Sequence, residues 1–345
     1  MKKIGIVVAL LALVLGGCSN SQNKEGNNQN ENKEDVRITL NQLENRNDIF
    51  YETGEDQPFT GEVVSSEDKD TNLLEKNYVD GKLDGEYIIY YENGEVREEA
   101  NYVDGKLDGE KTTYYDNGEK KKVSNYVAGV LEGTTTDYYE NKNPMVVTNY
   151  VNGQLEGEKI TYYRSGEMKI KSTYVNGVLN GEYLTYHRNG EVKSRVNYKD
   201  GVIEGEYTTY YDDGQINSKK TYQNKTLNGQ SVSYYKNGNV SLEKNYTDGQ
   251  LNGEYTLYYE NGQVKEKGTF LDGKPNGKEV SYYVTGQIKR EANYADGKLD
   301  GGYTLYYENG NLQGTYNYKD GEEVKKSEDE VEVTEEPMDT VDTQK

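Results

Sequence analysis

Along residues 59–321 apolar and polar side chains alternate at every second position in short runs, and each run ends at a glycine. One stretch, GEYIIYYENGEVREEANYVDGKLD from Gly85 to Asp108, shows the pattern. Two runs rich in β-branched and aromatic residues flank Asn93-Gly94, which predicts strands joined by a two-residue type I′ turn, because both central residues of that turn need positive φ. The stretch then recurs. Gly61, Gly85, Gly109, Gly133, Gly157, Gly181, Gly205, Gly229, Gly253, Gly277 and Gly301 are separated by 24 residues without an insertion. The column from Tyr78 and Tyr102 to Tyr318 keeps the same step, as does the pair Tyr90-Tyr91, in which His187 once replaces the second ring. No segment has a helical period. The predicted fold is all-β: an elongated single-layer antiparallel meander of about eleven 24-residue hairpin repeats.

A two-residue loop at Asn93-Gly94 pairs Tyr91 with Val96, Ile89 with Glu98 and Tyr87 with Ala100 on one face, and sets Tyr90 opposite Arg97 on the other. The column of Val96 stays mostly apolar and that of Arg97 mostly basic or polar. The face of Tyr91, Val96 and Tyr102 is therefore expected to pack, and the face of Tyr90 beside Lys or Arg to meet solvent. That second face is the candidate binding surface: Tyr90, Arg97, Tyr114, Lys121, Tyr162, Lys169, Tyr186, Lys193, Tyr258, Lys265, Tyr282 and Lys289. A lone hairpin is marginal in water, so tyrosines stacked between successive units are expected to supply cohesion, ~0.5–1.5 kcal/mol per ring pair beyond buried area. Lys142 replaces the turn glycine next to Pro144, so that hairpin is expected to be irregular.

Composition changes the picture in two ways. Leu, Ile, Val and Phe together make less than one-fifth of the 345 residues, a level typical of disorder, but 36 tyrosines in periodic columns supply the missing apolar area. The net charge of −21 excludes nucleic acid as a partner, since phosphate binding needs a basic surface. One Cys, one His and no Trp exclude a disulfide framework and a cysteine metal cluster. His187 has no partners in sequence for catalysis or zinc and reads as a polar aromatic substitute in the ring column. Carboxylate pairs such as Glu98-Glu99 recur without a specially decorated unit, so no enzyme activity and no cofactor are expected. Asp104, Gly105, Asp108 and Gly109 resemble acidic calcium turns, but Asn stands at Asn152, Asn176, Asn180 and Asn252, which favours turn chemistry.

The ends differ from the repeats. Residues 1–17 have two lysines, an apolar run from Ile4 to Leu15 and two glycines, the plan of an export signal too short to span a membrane. Leu15-Gly16-Gly17-Cys18 resembles the bacterial lipobox, which makes Cys18 the lipid-attachment residue, anchors the chain to membrane and places it in the bacterial cell envelope, at the outer membrane or cell surface in a diderm host. Residues 18–35 carry no aliphatic side chain beyond the cysteine and read as a disordered tether. Residues 36–58 read as an N-terminal β cap, 59–321 as the array, and 322–345, with ten acidic residues against three lysines, as an acidic disordered tail.

G-E-x-x-x-Y-Y-x-N-G-x-x followed by N-Y-x-x-G-x-L-x-G resembles the bacterial variant of the MORN repeat, found in proteins often labelled as antitoxins of a toxin–antitoxin system. The resemblance spans Phe59 to Gly321 and implies an elongated single-layer sheet of hairpins. Eukaryotic MORN repeats are associated with membrane-proximal scaffolding, protein contacts and, in some members, phospholipid binding. This chain differs from them in lacking Trp, in its 24-residue unit and in its acidity, which opposes anionic headgroups. The expected function is a membrane-anchored, non-enzymatic interaction scaffold that binds a protein partner through a repetitive β surface. The alternatives are a glycan-binding adhesin and an immunity or antitoxin protein for a cognate toxin.

Overall fold

The structure is a computed structural model that describes residues 36–68 and 73–324. The signal, Cys18, the tether and nearly all of the acidic tail lie outside the described residues. From Gly61–Val64 onward the chain folds back and forth into a single antiparallel sheet, strand after strand pairing with its sequence neighbours. The long strands repeat as Lys82–Tyr90, Val96–Val103, Lys106–Tyr114 and Lys120–Val127, and end with Lys298–Tyr306 and Leu312–Lys319. The sheet has 26 strands and is open, and the only helical element among the described residues is the 3-10 turn Leu40–Gln42.

Two kinds of turn line the two margins, and the structure exchanges the roles expected of them. The type I′ turns are the connections between hairpins: Asp104 (φ 48°) and Gly105 (φ 78°) both have positive φ, and Val103 pairs with Lys106. Short Asx side chains tolerate the left-handed region, which explains Asp80, Asn152, Asn176 and Asp200 in the same slot. At the other margin Asn93 does not have positive φ. The Gly94 amide donates to Tyr91 O (3.0 Å) and the Tyr91 amide to Glu95 O (2.8 Å), so Glu92-Asn93-Gly94 form a three-residue loop with only its glycine left-handed. The Lys142 loop keeps both bonds (3.0 and 2.9 Å), with Lys142 itself at φ 71°. It is regular in hydrogen bonding, and the missing glycine is absorbed as backbone strain.

The longer loop alters the register near it. Tyr87 pairs with Ala100 and Ile89 with Glu98, as the alternation predicts, but Tyr90 pairs with Val96, and Arg97 is the extra residue of a bulge. Neither face is a packing face with a solvent face behind it. Each buries its central row: on one, the small residues Ala100, Ser124, Thr148, Ser172 and Ala292; on the other, Thr112, Leu184, Thr208 and Val280. Rings close over the small row from both sides, as Tyr87 and Tyr102 do at 5.5 Å, Tyr183 and Tyr198 at 5.8 Å, and Tyr255 and Phe270 at 5.1 Å.

These aromatic pairs lie within a hairpin and meet tilted or edge-to-face. Equivalent rings of successive units are two strand spacings apart, about 9.6 Å, too far to stack. Cohesion between units comes instead from hydrogen bonds. The turn glycine of one unit donates to a carbonyl of the unit before, as Gly105 does to Leu83 O (2.8 Å) and Gly129 to Leu107 O (2.7 Å). The acid after that leucine accepts the neighbouring amide: Asp84 from Asp104 (3.0 Å), Asp108 from Ala128 (3.0 Å), Glu132 from Asn152 (2.7 Å). Asp108 is thereby engaged as a turn acceptor.

The first unit alone acquires a second layer. Arg37–Thr39 adds a parallel strand beside Gly61–Val64, and the hairpin of Leu43–Arg46 and Ile49–Glu52 folds across. Ile38, Phe59, Val63 and Tyr78 become buried there, with Leu43, Phe50 and Leu83 against them. Burial, the larger cause, together with Tyr87 nearby, pushes the Tyr78 phenol up to about 12.

Candidate functional site

The second ring of each Tyr-Tyr pair sits just before the three-residue loop, where the main chain leaves the ladder. Its hydroxyl reaches the next unit and donates to the carbonyl of that unit's first ring residue. Tyr91 donates to Tyr114 O at 2.8 Å, Tyr115 to Tyr138 O at 2.7 Å, Tyr163 to Tyr186 O at 3.1 Å and Tyr259 to Tyr282 O at 2.8 Å. His187 keeps the contact through Nε2 (3.1 Å to Tyr210 O), and because a carbonyl only accepts, Nε2 carries the proton. His187 is thus a working substitute for tyrosine in this ladder.

The basic column lies beside these second rings and not beside the first. Lys121 Nζ is 5.7 Å from the Tyr115 ring centroid, Lys169 5.8 Å from Tyr163, Lys265 5.6 Å from Tyr259 and Lys289 5.7 Å from Tyr283. The bulge is the reason: an extra residue at Arg97, Lys121, Lys169, Lys193, Lys265 and Lys289 turns the column toward the loop margin. These six cations are exposed. The first rings go elsewhere. Tyr90, Tyr114, Tyr162, Tyr258 and Tyr282 are half-buried, and Tyr186 is buried. Three of their hydroxyls donate to carboxylates, Tyr90 to Glu75 (3.3 Å), Tyr258 to Glu243 (2.9 Å) and Tyr114 to Glu99, while Lys267 sits 6.0 Å from the Tyr282 ring. Burial first and the bonded glutamate second raise the Tyr90, Tyr114 and Tyr258 phenols. Of the twelve residues expected to form one surface, the six cations are exposed and the six first rings are half-buried or buried, although Tyr90 still lines a groove with Arg97, and Tyr282 one with Lys265 and Lys289.

Beside the loops the basic column borders a repeating concave cell. Thr185, His187, Lys193, Tyr207, Tyr211 and Lys236 line one of about 710 Å³, and Tyr259, Lys265, Lys289 and Tyr303 one of about 310 Å³. The sequence reading missed the second-ring ladder that walls these cells. Its signal was present in His187, which is both aromatic and an N–H donor.

A second group went unforeseen. The Tyr255 hydroxyl bonds Glu279 (2.8 Å) and Glu266 (2.9 Å), and Arg290 contacts both carboxylates. Gly268 makes room for it, since a Cβ there would lie 2.9 Å from the Tyr255 ring. Burial, and after it the bonds to Glu279 and Glu266, raise the Tyr255 phenol strongly. Glu279 is buried against Arg290, and the ion pair recurs with its signs reversed at the equivalent positions Lys111 and Glu98 (2.6 Å). Among the described residues no three His, Cys, Asp or Glu side chains converge as a metal site requires.

A family model described as "MORN repeat variant" matches ten segments, 83–104, 107–128, 131–152, 155–176, 179–200, 203–224, 227–248, 251–272, 275–296 and 299–320. The unit starting at Gly61, which bears the second layer, lies outside these matches. No curated protein sequence matches the chain. Among solved structures, the chain is similar to part of a complex of TcdB2, TccC3 and Cdc42, at 13% identity over 72% of this chain and 18% of that chain, with a TM-score of 0.17. The pore form of the Photorhabdus luminescens Tc holotoxin matches at 14% identity over 71% and 17%, also with a TM-score of 0.17. The chain spans less than one-fifth of those chains, and nothing about its partners follows from them.

Proposed function

The chain belongs to the MORN repeat variant family, and from that premise we propose that it is a non-enzymatic interaction scaffold of the bacterial cell envelope, tethered by lipid on Cys18. It presents the loop-margin cells to a protein partner. One observation carries this reading: the same cell, a hydrogen-bonded second ring with an exposed cation over it, recurs at Tyr115, Tyr163, Tyr259 and Tyr283 along a sheet braced by its own hydrogen bonds. Weak contacts repeated at fixed spacing gain from avidity. The rings at Tyr115, Tyr163, Tyr259 and Tyr283 carry Lys across their faces, which favours an acidic or polar protein segment over a sugar ring needing a bare face.

The test is capture from intact envelopes with the lipidated chain and with Lys265→Glu/Lys289→Glu. A protein retained by the first and lost from the second supports the scaffold. A captured set identical for both contradicts it. Cys18→Ala is expected to abolish acyl labelling and release the chain from membranes, whereas unchanged membrane retention removes the anchor from the proposal.

A further inference from the structure

The cell at the junction of the second layer and the array differs from the rest in chemistry. Equivalent positions in the middle of the array hold Thr185, Ser194 and Thr209, but here the floor is Leu40, Leu73, Leu74 and Ile89, walled by Tyr91, in a groove of about 750 Å³. The pair Leu74 and Ile89 recurs as Leu242 and Leu257, but Leu40 comes from the second layer alone and Leu73 stands where the repeat later carries Arg97, Lys121, Lys169 and Lys193. Both remain exposed, at 46% and 39%, so this groove leaves apolar surface in water. Arg97 stands at its rim. It is exposed, and among the described residues it makes no hydrogen bond or ion pair, unlike Arg37, Arg46, Arg164, Arg195 and Arg290. An unpaired guanidinium over an apolar floor complements a ligand with the opposite arrangement.

We infer that this groove binds an amphipathic carboxylate, the apolar body lying on Leu40, Leu73 and Ile89 and the carboxylate accepting from Arg97. Glu92 and Asp116 also line the groove, which disfavours a second negative charge and favours a single anionic head. The site is a single cell and does not depend on the platform reading, which uses the cells further along.

Decanoate is the probe, titrated onto the full chain and followed by the NMR shifts of the Leu methyls. Saturable shifts confined to Leu40, Leu73 and Leu74 are expected, weakened about tenfold by Arg97→Glu and restored by Arg97→Lys. Lys265→Glu, the same repeat position in a distant cell, is expected to leave them unchanged; equal loss there would mean general charge attraction and would overturn the site. Decanol binding as tightly as decanoate would also overturn it. Because Arg97 is exposed, its replacement is not expected to unfold the chain; should Arg97→Glu fail to fold, Arg97→Gln gives the same readout. Platform failure would show in envelope capture, with decanoate binding intact.

Discussion

The two ends of the sheet are built from the same repeat and live in different surroundings. Tyr78, at the start, is buried under Phe50 and Phe59 with ring centroids 5.2 and 6.2 Å away, while Tyr316 and Leu312 in the last long strand are 40% and 60% exposed. The first long strands are bonded on both sides and roofed by a second layer. The last, Leu312–Lys319, is bonded along one side, with, among the described residues, only Glu322–Glu323 and the Val324 amide on the other. A repeat that touches mainly its neighbours inherits its stability from them, so an array with one roofed end should loosen from the other.

The comparison is broken most forcefully by removing the roof. Phe59→Ala is expected to cost about 3–5 kcal/mol by cavity formation and loss of ring contact, against less than about 1 kcal/mol for Leu312→Ala, both read from urea titrations. Alkali tests the buried phenols next. The Tyr78 phenol is raised from 10.0 to about 12 in the fold, so its contribution is whole below pH 10 and is lost as pH rises through about 12. Strand signal and tyrosinate absorbance should therefore change together in that window, and tyrosinate forming well below it with the sheet intact would contradict the buried ring. Backbone strain is a smaller lever. Lys142→Gly and Lys225→Gly, at φ 71° and 70°, should each stabilise by about 0.5–1 kcal/mol in the same titrations. The smallest effect belongs to single rungs of the ring ladder: Tyr163→Phe should lose about 1 kcal/mol, His187→Tyr should be near neutral, and His187→Phe should behave like Tyr163→Phe.

Much of this architecture was legible in the chain. The glycine column marks backbone that other residues adopt only under strain, as at Gly109 (φ 103°) and Gly181, where a Cβ would also lie 3.1 Å from Thr173. Strand alternation sufficed to pair Tyr87 with Ala100 and Ile89 with Glu98. The register failed one residue later, at Arg97, for a physical reason. Asn-Gly suits a two-residue turn with both residues left-handed and equally a three-residue loop with only the glycine so, and the choice between them moves every basic side chain to another neighbour. Asp104-Gly105, which does form the two-residue turn, has nearly the same chemistry as Asn93-Gly94. Hence the basic column was correctly expected to be exposed, but its aromatic neighbour was taken to be the first ring of each pair where the structure places the second. The Tyr255, Glu266, Glu279 and Arg290 group was hidden because its residues are far apart in sequence and Gly268 reads as a gap until the ring that fills it is seen.

Residue-resolved amide exchange under native conditions addresses the central claim most directly, because protection in a nearest-neighbour array reports how firmly each strand is held from both sides. Protection should be greatest for Gly61–Val64 and Leu74–Tyr90, stay high through the hydrogen-bonded interior, and fall toward Leu312–Lys319. Equal protection at the two ends, or fastest exchange beneath the Phe59 layer, would contradict an array held by its roofed end and its inter-unit hydrogen bonds.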